Sequence, residues 1–427
     1  MLDRTLPPPL HEMESLTFPS VAKHVLPNGI PLYVIDRGTQ EISRVDVLFS
    51  VGKIDDAHRL TAELTAAMLR EGTAGMISAD IAERLDYYGA TLQTMSTLRN
   101  TYFTLYSANR YFAELLPLLH RIITSPTFPE KEFQTVKERG LQSLRVELEK
   151  VDVLASRAFS AQLFGSKHPY GSSTEPADYE TLTIERFHAF HRAYYTAQRC
   201  RIVLSGRITD EMIALVEKLF SDMPAGEAPL FVAPPFRSAE EHYRLVEKSG
   251  VLQSGIRAGL FVVGRDHPDH HCLRILNTVL GGYFGSRLMS KIREEKGYTY
   301  GIHSTVVTFP DVAYLTIQTQ AATAYVRPLL DDLFAELRRL REEPVGEDEL
   351  FMVRNYMMGE MLRLFDTPIS VAEVFVTLLA NNLDFDYYAA RFEAVRAVTA
   401  EQLFDVARRL LDEKAFYVTV AGQDKSC

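Results

Sequence analysis

The segment LGGYFGSRLMSKIREEKGYTYGIHS, residues 280–304, decides how the rest of the chain is read. Gly297 is placed to end a helix that carries Arg293 and to release the chain into a strand that carries Tyr300. A helix, turn and strand in that order would let both side chains face one cavity. Arginine offers fixed donors and a permanent charge, and the tyrosine hydroxyl offers one more donor. Gly281, Gly282 and Gly285 do not form a phosphate loop, because no Gly-Lys-Ser/Thr follows and no strand-Gly-x-Gly-x-x-Gly unit is present. Their expected use is close approach of two chain segments after a helix over 270–280.

Working outward, the sequence is seen to repeat. LTIERFHAFHRAYYTAQRCRIVLSG (182–206) and VTAEQLFDVARRLLDEKAFYVTVAG (398–422) align at a constant offset of 216, from Thr183/Thr399 to Gly206/Gly422. Upstream, PEKEFQTVK (129–137) resembles PVGEDELFMVR (344–354) with a slip of one residue. A duplicated domain explains this pattern. Within the first copy, strands are expected over 31–37, 44–51, 90–97 and 101–108. Helices are expected over 59–72, 78–88, 111–124, 130–150 and 153–164. The order implies an α+β fold: two homologous domains, each a mixed β-sheet with helices packed mainly on one face, related by a pseudo-two-fold axis. The divisions are an N-terminal arm (1–20), a first domain (21–225), a linker (226–240) holding Pro229, Pro234 and Pro235, and a second domain (241–427). A cavity between the lobes, or between two such molecules, is a natural ligand site.

Composition narrows the function. The chain has 427 residues, 46% hydrophobic and 24% charged, as expected of a globular protein with two or three domains. Its formal net charge of -10 argues against nucleic acid and anionic membranes as partners. Cys200, Cys272 and Cys427 are odd in number and widely spaced, so no disulfide framework is implied and a reducing compartment is the simpler reading. No apolar run is long enough for a membrane span, and the N-terminus lacks a signal-peptide core. A cytoplasmic location is expected, with a trimmed leader left open.

Four stretches resemble the pitrilysin/insulinase (M16-type) zinc peptidases: LPNGIPLYVI (26–35), the Val51-Gly52 pair leading to MLREGT (68–73), HPYG (168–171), and residues 280–304. The family's zinc motif is His-x-x-Glu-His on the helix before MLREGT. Two histidines one helical turn apart can share a tetrahedral zinc, and the glutamate beside them can deprotonate the metal-bound water. Here Glu63-Leu64-Thr65-Ala66-Ala67 stands in that place. Glu63 has a carboxylate, but Ala66 and Ala67 offer neither donor nor base. The family's third ligand would fall near Ser143 and Leu144, with Glu138 and Glu147 close by in sequence. No metal is therefore expected to be bound by this chain in the family's manner.

The family's other functional pair, an arginine followed seven residues later by a tyrosine, matches Arg293 and Tyr300. The resemblance implies a division of labour. This chain would be the substrate-binding, non-catalytic subunit of a heterodimeric metallopeptidase. A homologous subunit bearing His-x-x-Glu-His would hold the zinc, and a peptide would be the substrate. Arg293 and Tyr300 would bind the substrate and stabilise the transition state in the partner's active site. Two other readings stay open. One is a peptide-binding or assembly scaffold with no proteolytic role; the other is a self-sufficient peptidase with a displaced zinc site.

The remaining histidines invite simpler readings. In His267-Pro268-Asp269-His270-His271, Pro268 and Asp269 suit a solvated helix N-terminus. His188 and His191 correspond in the repeat to Phe404 and Ala407, which marks them as packing positions. His168 of HPYG is expected to pin a local turn with Tyr170.

Overall fold

The computed structural model describes residues 13, 15–56, 58–226 and 234–423. Most of the expected arm, part of the expected linker including Pro229, and Cys427 lie outside the described residues. The first half runs β1 (Ala22–Val25), β2 (Pro31–Asp36), β3 (Ile42–Phe49), α1 (Thr61–Met68), a small hairpin of β4 (Gly72–Thr73) and β5 (Met76–Ile77), and α2 (Ser78–Tyr87). It continues with β6 (Thr91–Ser96), β7 (Thr101–Ala108), α3 (Phe112–Thr124), α4 (Glu130–Glu147), α5 (Val151–Phe164), α6 (Pro176–Glu180), α7 (Ile184–Tyr194), β8 (Cys200–Gly206) and α8 (Asp210–Phe220). The second half runs β9 (Tyr243–Glu247), β10 (Gln253–Val262), α9 (His270–Asn277), β11 (Thr299–Thr308), β12 (Ala313–Ala322) and α10 (Val326–Glu342). Then come α11 (Glu347–Leu364), α12 (Pro368–Ala380), α13 (Asp386–Ala397), α14 (Ala400–Leu410) and β13 (Tyr417–Gly422).

The sheet topologies establish the duplication. The first sheet has the order β1-β2-β8-β3-β7-β6 and the second β11-β12-β10-β13-β9. Read from opposite ends, and apart from β1, these are the same arrangement. Each contains one parallel pair, β2 with β8 and β9 with β13. The 216-residue offset maps α7 onto α14 residue for residue. It also maps Gly206 onto Gly422, with φ of 123° and 134°. A Cβ at Gly206 would lie 2.2 Å from the Ile42 carbonyl oxygen, so both strands end on a residue that needs glycine's freedom.

Each half packs its own helices on one face of its sheet. In the first half, Leu115, Leu119 and Ile122 of α3 and Phe187 of α7 join Val45, Val47, Phe103 and Leu105 of the strands in one buried cluster. The opposite face is covered by a helix from the other half. α12 lays Val371, Phe375 and Leu378 on Ile35, Leu48 and Val203 of the first sheet. α5, its counterpart, packs on β10 and β13 of the second sheet. Gly255 and Gly259 permit this approach, since a Cβ would lie 2.6 Å from the Val151 oxygen at the first and 2.8 Å from Phe159 Cζ at the second. The sheets are therefore covered mainly on one face, as expected, with one exchanged helix closing each second face. The described part of the arm also crosses over, and Phe18 sits against Phe365 and Phe385 at centroid distances of 5.2 and 5.5 Å.

His168 ties the halves together where the linker ends. Its Nδ1 accepts from the Tyr170 amide at 3.2 Å, which leaves Nε2 as the donor to the Pro234 oxygen at 2.9 Å. The expected local turn is present, and the ring also anchors the linker. No helix among the described residues is long and apolar enough to cross a membrane.

Candidate functional site

Arg293 lies in a π-helical stretch, Met289–Glu295, rather than in an ordinary α-helix. The Lys296 amide reaches back to the Lys291 oxygen at 3.1 Å, and the Tyr298 amide to the Ile292 oxygen at 3.1 Å. Such wide turns recur at functional sites because they re-aim side chains. Gly297, at φ 65°, then reverses the chain into β11 as the sequence predicts. Simple alternation would put Tyr300 on the same face as buried Ile302. A bulge between Thr299 and Ile302 inserts one extra residue and turns Tyr300 outward. Thr299 holds the bulge: its Oγ1 accepts from the Gly301 amide at 3.1 Å and donates to the Gln320 oxygen at 2.7 Å.

The result brings the two predicted residues together. Arg293 Nε donates to the Tyr300 carbonyl at 2.8 Å. Its guanidinium lies 4.7 Å from the Phe284 ring centroid and 5.9 Å from that of Tyr300. Glu294 is a loose ion-pair partner at 3.7 Å, so the other donors of Arg293 are not saturated. Tyr300 is 94% exposed, an extreme value for an aromatic ring. Both residues line a cavity of about 1310 Å³ along the edge strand β11, walled by the second half and by Asp152 of the first. Phe284, which sequence reasoning did not single out, completes the group; its place in the same glycine-rich segment was the available signal. Gly281 serves the close approach expected of it, because a Cβ there would meet the Ser304 amide nitrogen at 2.9 Å.

The expected cavity between the halves also exists, with a volume of about 930 Å³, but neither Arg293 nor Tyr300 lines it. Its arginines are engaged by protein groups, Arg201 across the two halves and Arg265 within the second. Arg201 donates to the Leu379 and Asn382 oxygens at 2.9 and 3.0 Å, and Arg265 to Asn381 Oδ1 at 2.6 Å.

The positions of the family's zinc motif lie on α1. Glu63 is held by Lys53 at 2.6 Å, Ala66 is buried in packing, and Ala67 is partly buried. Glu147 is paired with Lys150 at 2.6 Å. Among the described residues, no group of three or more His, Cys, Asp or Glu side chains is placed to hold a metal ion. The donor set does not fit zinc: one salt-bridged carboxylate beside two methyl groups supplies neither tetrahedral ligands nor a base.

The histidines resolve differently. His191 bonds the Ile123 oxygen at 2.7 Å in the packing role expected, whereas His188 touches the Phe128 ring edge-on at 4.9 Å but is exposed. His267 is exposed at the start of α9, as a solvated helix end should be. His270 is not: it is 1% exposed, packed against Tyr387 with an Nε2–hydroxyl distance of 3.3 Å. The reason is that α13 folds over this turn. Burial, with help from the nearby charges of Arg274, His271, Arg265 and Arg391, pulls the His270 pKa from 6.5 to about 4. The ring is thus neutral in the fold while the unfolded chain still takes a proton. This contribution to stability is complete above pH 6.5 and is lost as pH falls toward 4. The unfolding free energy from denaturant titration should drop between pH 7 and 5, by at most about 1.4 kcal/mol per pH unit for one such group. His270→Gln should flatten that slope, and parallel curves for the two proteins would exclude His270 as the cause.

The duplicated α+β architecture is that of the M16-type peptidases. The chain belongs to peptidase family M16. The family model "Insulinase (Peptidase family M16)" matches residues 33–169, and "Peptidase M16 inactive domain" matches residues 181–357. An uncharacterised zinc protease, YmxG, of Bacillus subtilis (strain 168) is 23% identical over 348 residues, 80% of this chain and 84% of that one. A non-peptidase homologue, also called YmxG, of Helicobacter pylori is 22% identical over 320 residues, 72% of each chain. The crystal structure of a peptidase M16 inactive domain from Pseudomonas fluorescens matches with a TM-score of 0.85 at 22% identity, over 94% of this chain and 98% of that one.

Proposed function

We propose that this chain is the non-catalytic, substrate-binding subunit of a heterodimeric M16 peptidase. The observation that carries the reading is the presentation of Arg293 and Tyr300 together, with Tyr300 94% exposed, at a large cavity in a chain whose zinc-motif positions hold alanine. An aromatic ring left in water without cover is a costly arrangement unless something else covers it. Leu252, Phe284 and Tyr325 are further exposed apolar side chains of the second half, the last two lining the same cavity. A homologous subunit with His-x-x-Glu-His would supply the zinc and the base and would close the cavity. A peptide lying along the edge of a sheet would be held through its main chain, largely without regard to sequence. Arg293 and the Tyr300 hydroxyl would donate to the scissile carbonyl oxygen as it gains charge.

The experiment is reconstitution. The purified chain alone should leave a fluorogenic peptide intact and should carry no stoichiometric zinc. Mixed with a homologue bearing His-x-x-Glu-His, it should raise the homologue's cleavage rate well above that of the homologue alone. If no such homologue is stimulated, the rival reading of a scaffold without proteolytic role gains the field.

A further inference from the structure

Beyond Tyr300, the wall of the same cavity is built of side chains that the cleavage chemistry does not use. The strand register pairs Arg257 on β10 with Gln318 on β12, and Gln318 with His303 on β11. Residues opposite one another on neighbouring strands share a face, so the three form one row across the sheet. The His303 and Gln318 side chains are in direct contact. α5 packs chiefly on β10 and β13. Arg257 sits at the margin of that cover, between Gly255 and Gly259 on which α5 rests, half-buried and open to the cavity.

Arg257 is short of partners. Among the described residues it has no hydrogen-bond acceptor and no carboxylate within ion-pair distance; Asp152, at the start of α5, acts on it only through space. Burial depresses its pKa, a sign of a charge that is poorly solvated. His303 is also held below its ordinary value, by burial and by the charge of Arg257, and so is neutral at pH 7. The charged groups lining the cavity are then two guanidinium ions, Arg257 and Arg293, and one carboxylate, Asp152. This cationic wall belongs to a chain of net charge -10.

We infer that the wall is a subsite for a carboxylate of the bound peptide, with Arg257 as its ion-pair partner and, two residues on from Gln318 and lining the same cavity, the Gln320 amide as a neighbouring donor. The inference rests on the reading of the chain as a peptide-binding subunit. Its source is an Asp or Glu side chain or a free C-terminus. The row meets β11 at His303, three residues on from Tyr300, so a peptide lying along that edge and rising about 3.3 Å per residue presents the selected residue about three positions from the bond held at Arg293 and Tyr300. The acidic surface elsewhere repels carboxylates at long range, so Glu should improve binding at one position and at no other.

The test is fluorescence anisotropy with the full chain and labelled ten-residue peptides. One set is amidated and scans a single Glu, with a Gln twin at each position, through an Ala/Gly/Tyr background. A second has Gln throughout and a free C-terminal carboxylate. Charge-assisted contacts predict that Glu at one position, or the free terminus, binds about tenfold more tightly than its neutral twin. Which set gains identifies the source. Arg257→Gln should abolish the gain, and Arg257→Lys should keep part of it, with thermal melts confirming that both fold. Arg293→Gln should weaken Glu and Gln peptides alike and leave their ratio intact. Peptides that bind without any Glu or terminal preference, or with one that survives Arg257→Gln, overturn the subsite and spare the peptide-binding reading. Peptides that do not bind at all overturn both.

Discussion

Arg293→Ala should lower peptide cleavage by the assembled two-subunit complex by about 10²–10³-fold, the usual cost of removing one donor to a developing oxyanion. Most of the loss should fall on kcat, because the interaction strengthens only as the carbonyl oxygen gains charge. Arg293→Lys should recover a fraction, since lysine restores the charge but not the fixed fork of donors. The substitution is not expected to disturb the fold. Arg293 makes one main-chain bond, at 2.8 Å to Tyr300, and a loose contact with Glu294, both at the surface. Tyr300→Phe, which removes a single hydroxyl from a fully exposed ring, should cost less. Co-elution of the Arg293→Ala chain with its partner, together with an unchanged turnover rate, would remove Arg293 from the chemistry.

The two residues on which this rests were legible in sequence through the family resemblance, which has an arginine followed seven residues later by a tyrosine. Their geometry was not. The bulge beneath Tyr300 depends on a hydrogen bond to β12, a strand that begins more than ten residues later, so local pattern carries no trace of it. Arg257 was invisible for a related reason: a cross-strand row exists only once register is fixed, and Gln318 and His303 are far from it in sequence. The duplication was readable from the α7/α14 and β8/β13 offset, whereas the exchange of α5 and α12 was not. Periodicity reports that a helix has an apolar face, and α12 is apolar nearly all round, but neither fact says which sheet it covers. His270 was misjudged as solvated because α13, which buries it, lies more than a hundred residues on.

The exchanged helix makes the largest stability prediction, at Asp46. Arg44 and Asp46 stand two residues apart on β3, on the sheet face that α12 closes, and are 5% and 0% exposed. Arg44 donates to both Asp46 oxygens at 2.7 and 2.9 Å, and Thr104, directly opposite on β7, adds a third bond at 2.7 Å. Arg44 then reaches across to Glu373 of α12 at 3.0 Å. Asp46→Ala would strip a buried guanidinium of its bidentate partner with no water to replace it, and should cost about 3–5 kcal/mol in denaturant unfolding. Glu373→Gln should cost no more than about 1 kcal/mol, because the Glu373 carboxylate is mostly in solvent and loses little when neutralised. Removing both buried charges, as in Arg44→Met with Asp46→Leu, should recover most of the loss, since apolar side chains of similar size refill the space under α12 without leaving an ion behind. If Asp46→Ala were no worse than Glu373→Gln, water would have to reach this face of the sheet, and α12 would be a loosely held cover rather than the clamp that joins the two halves.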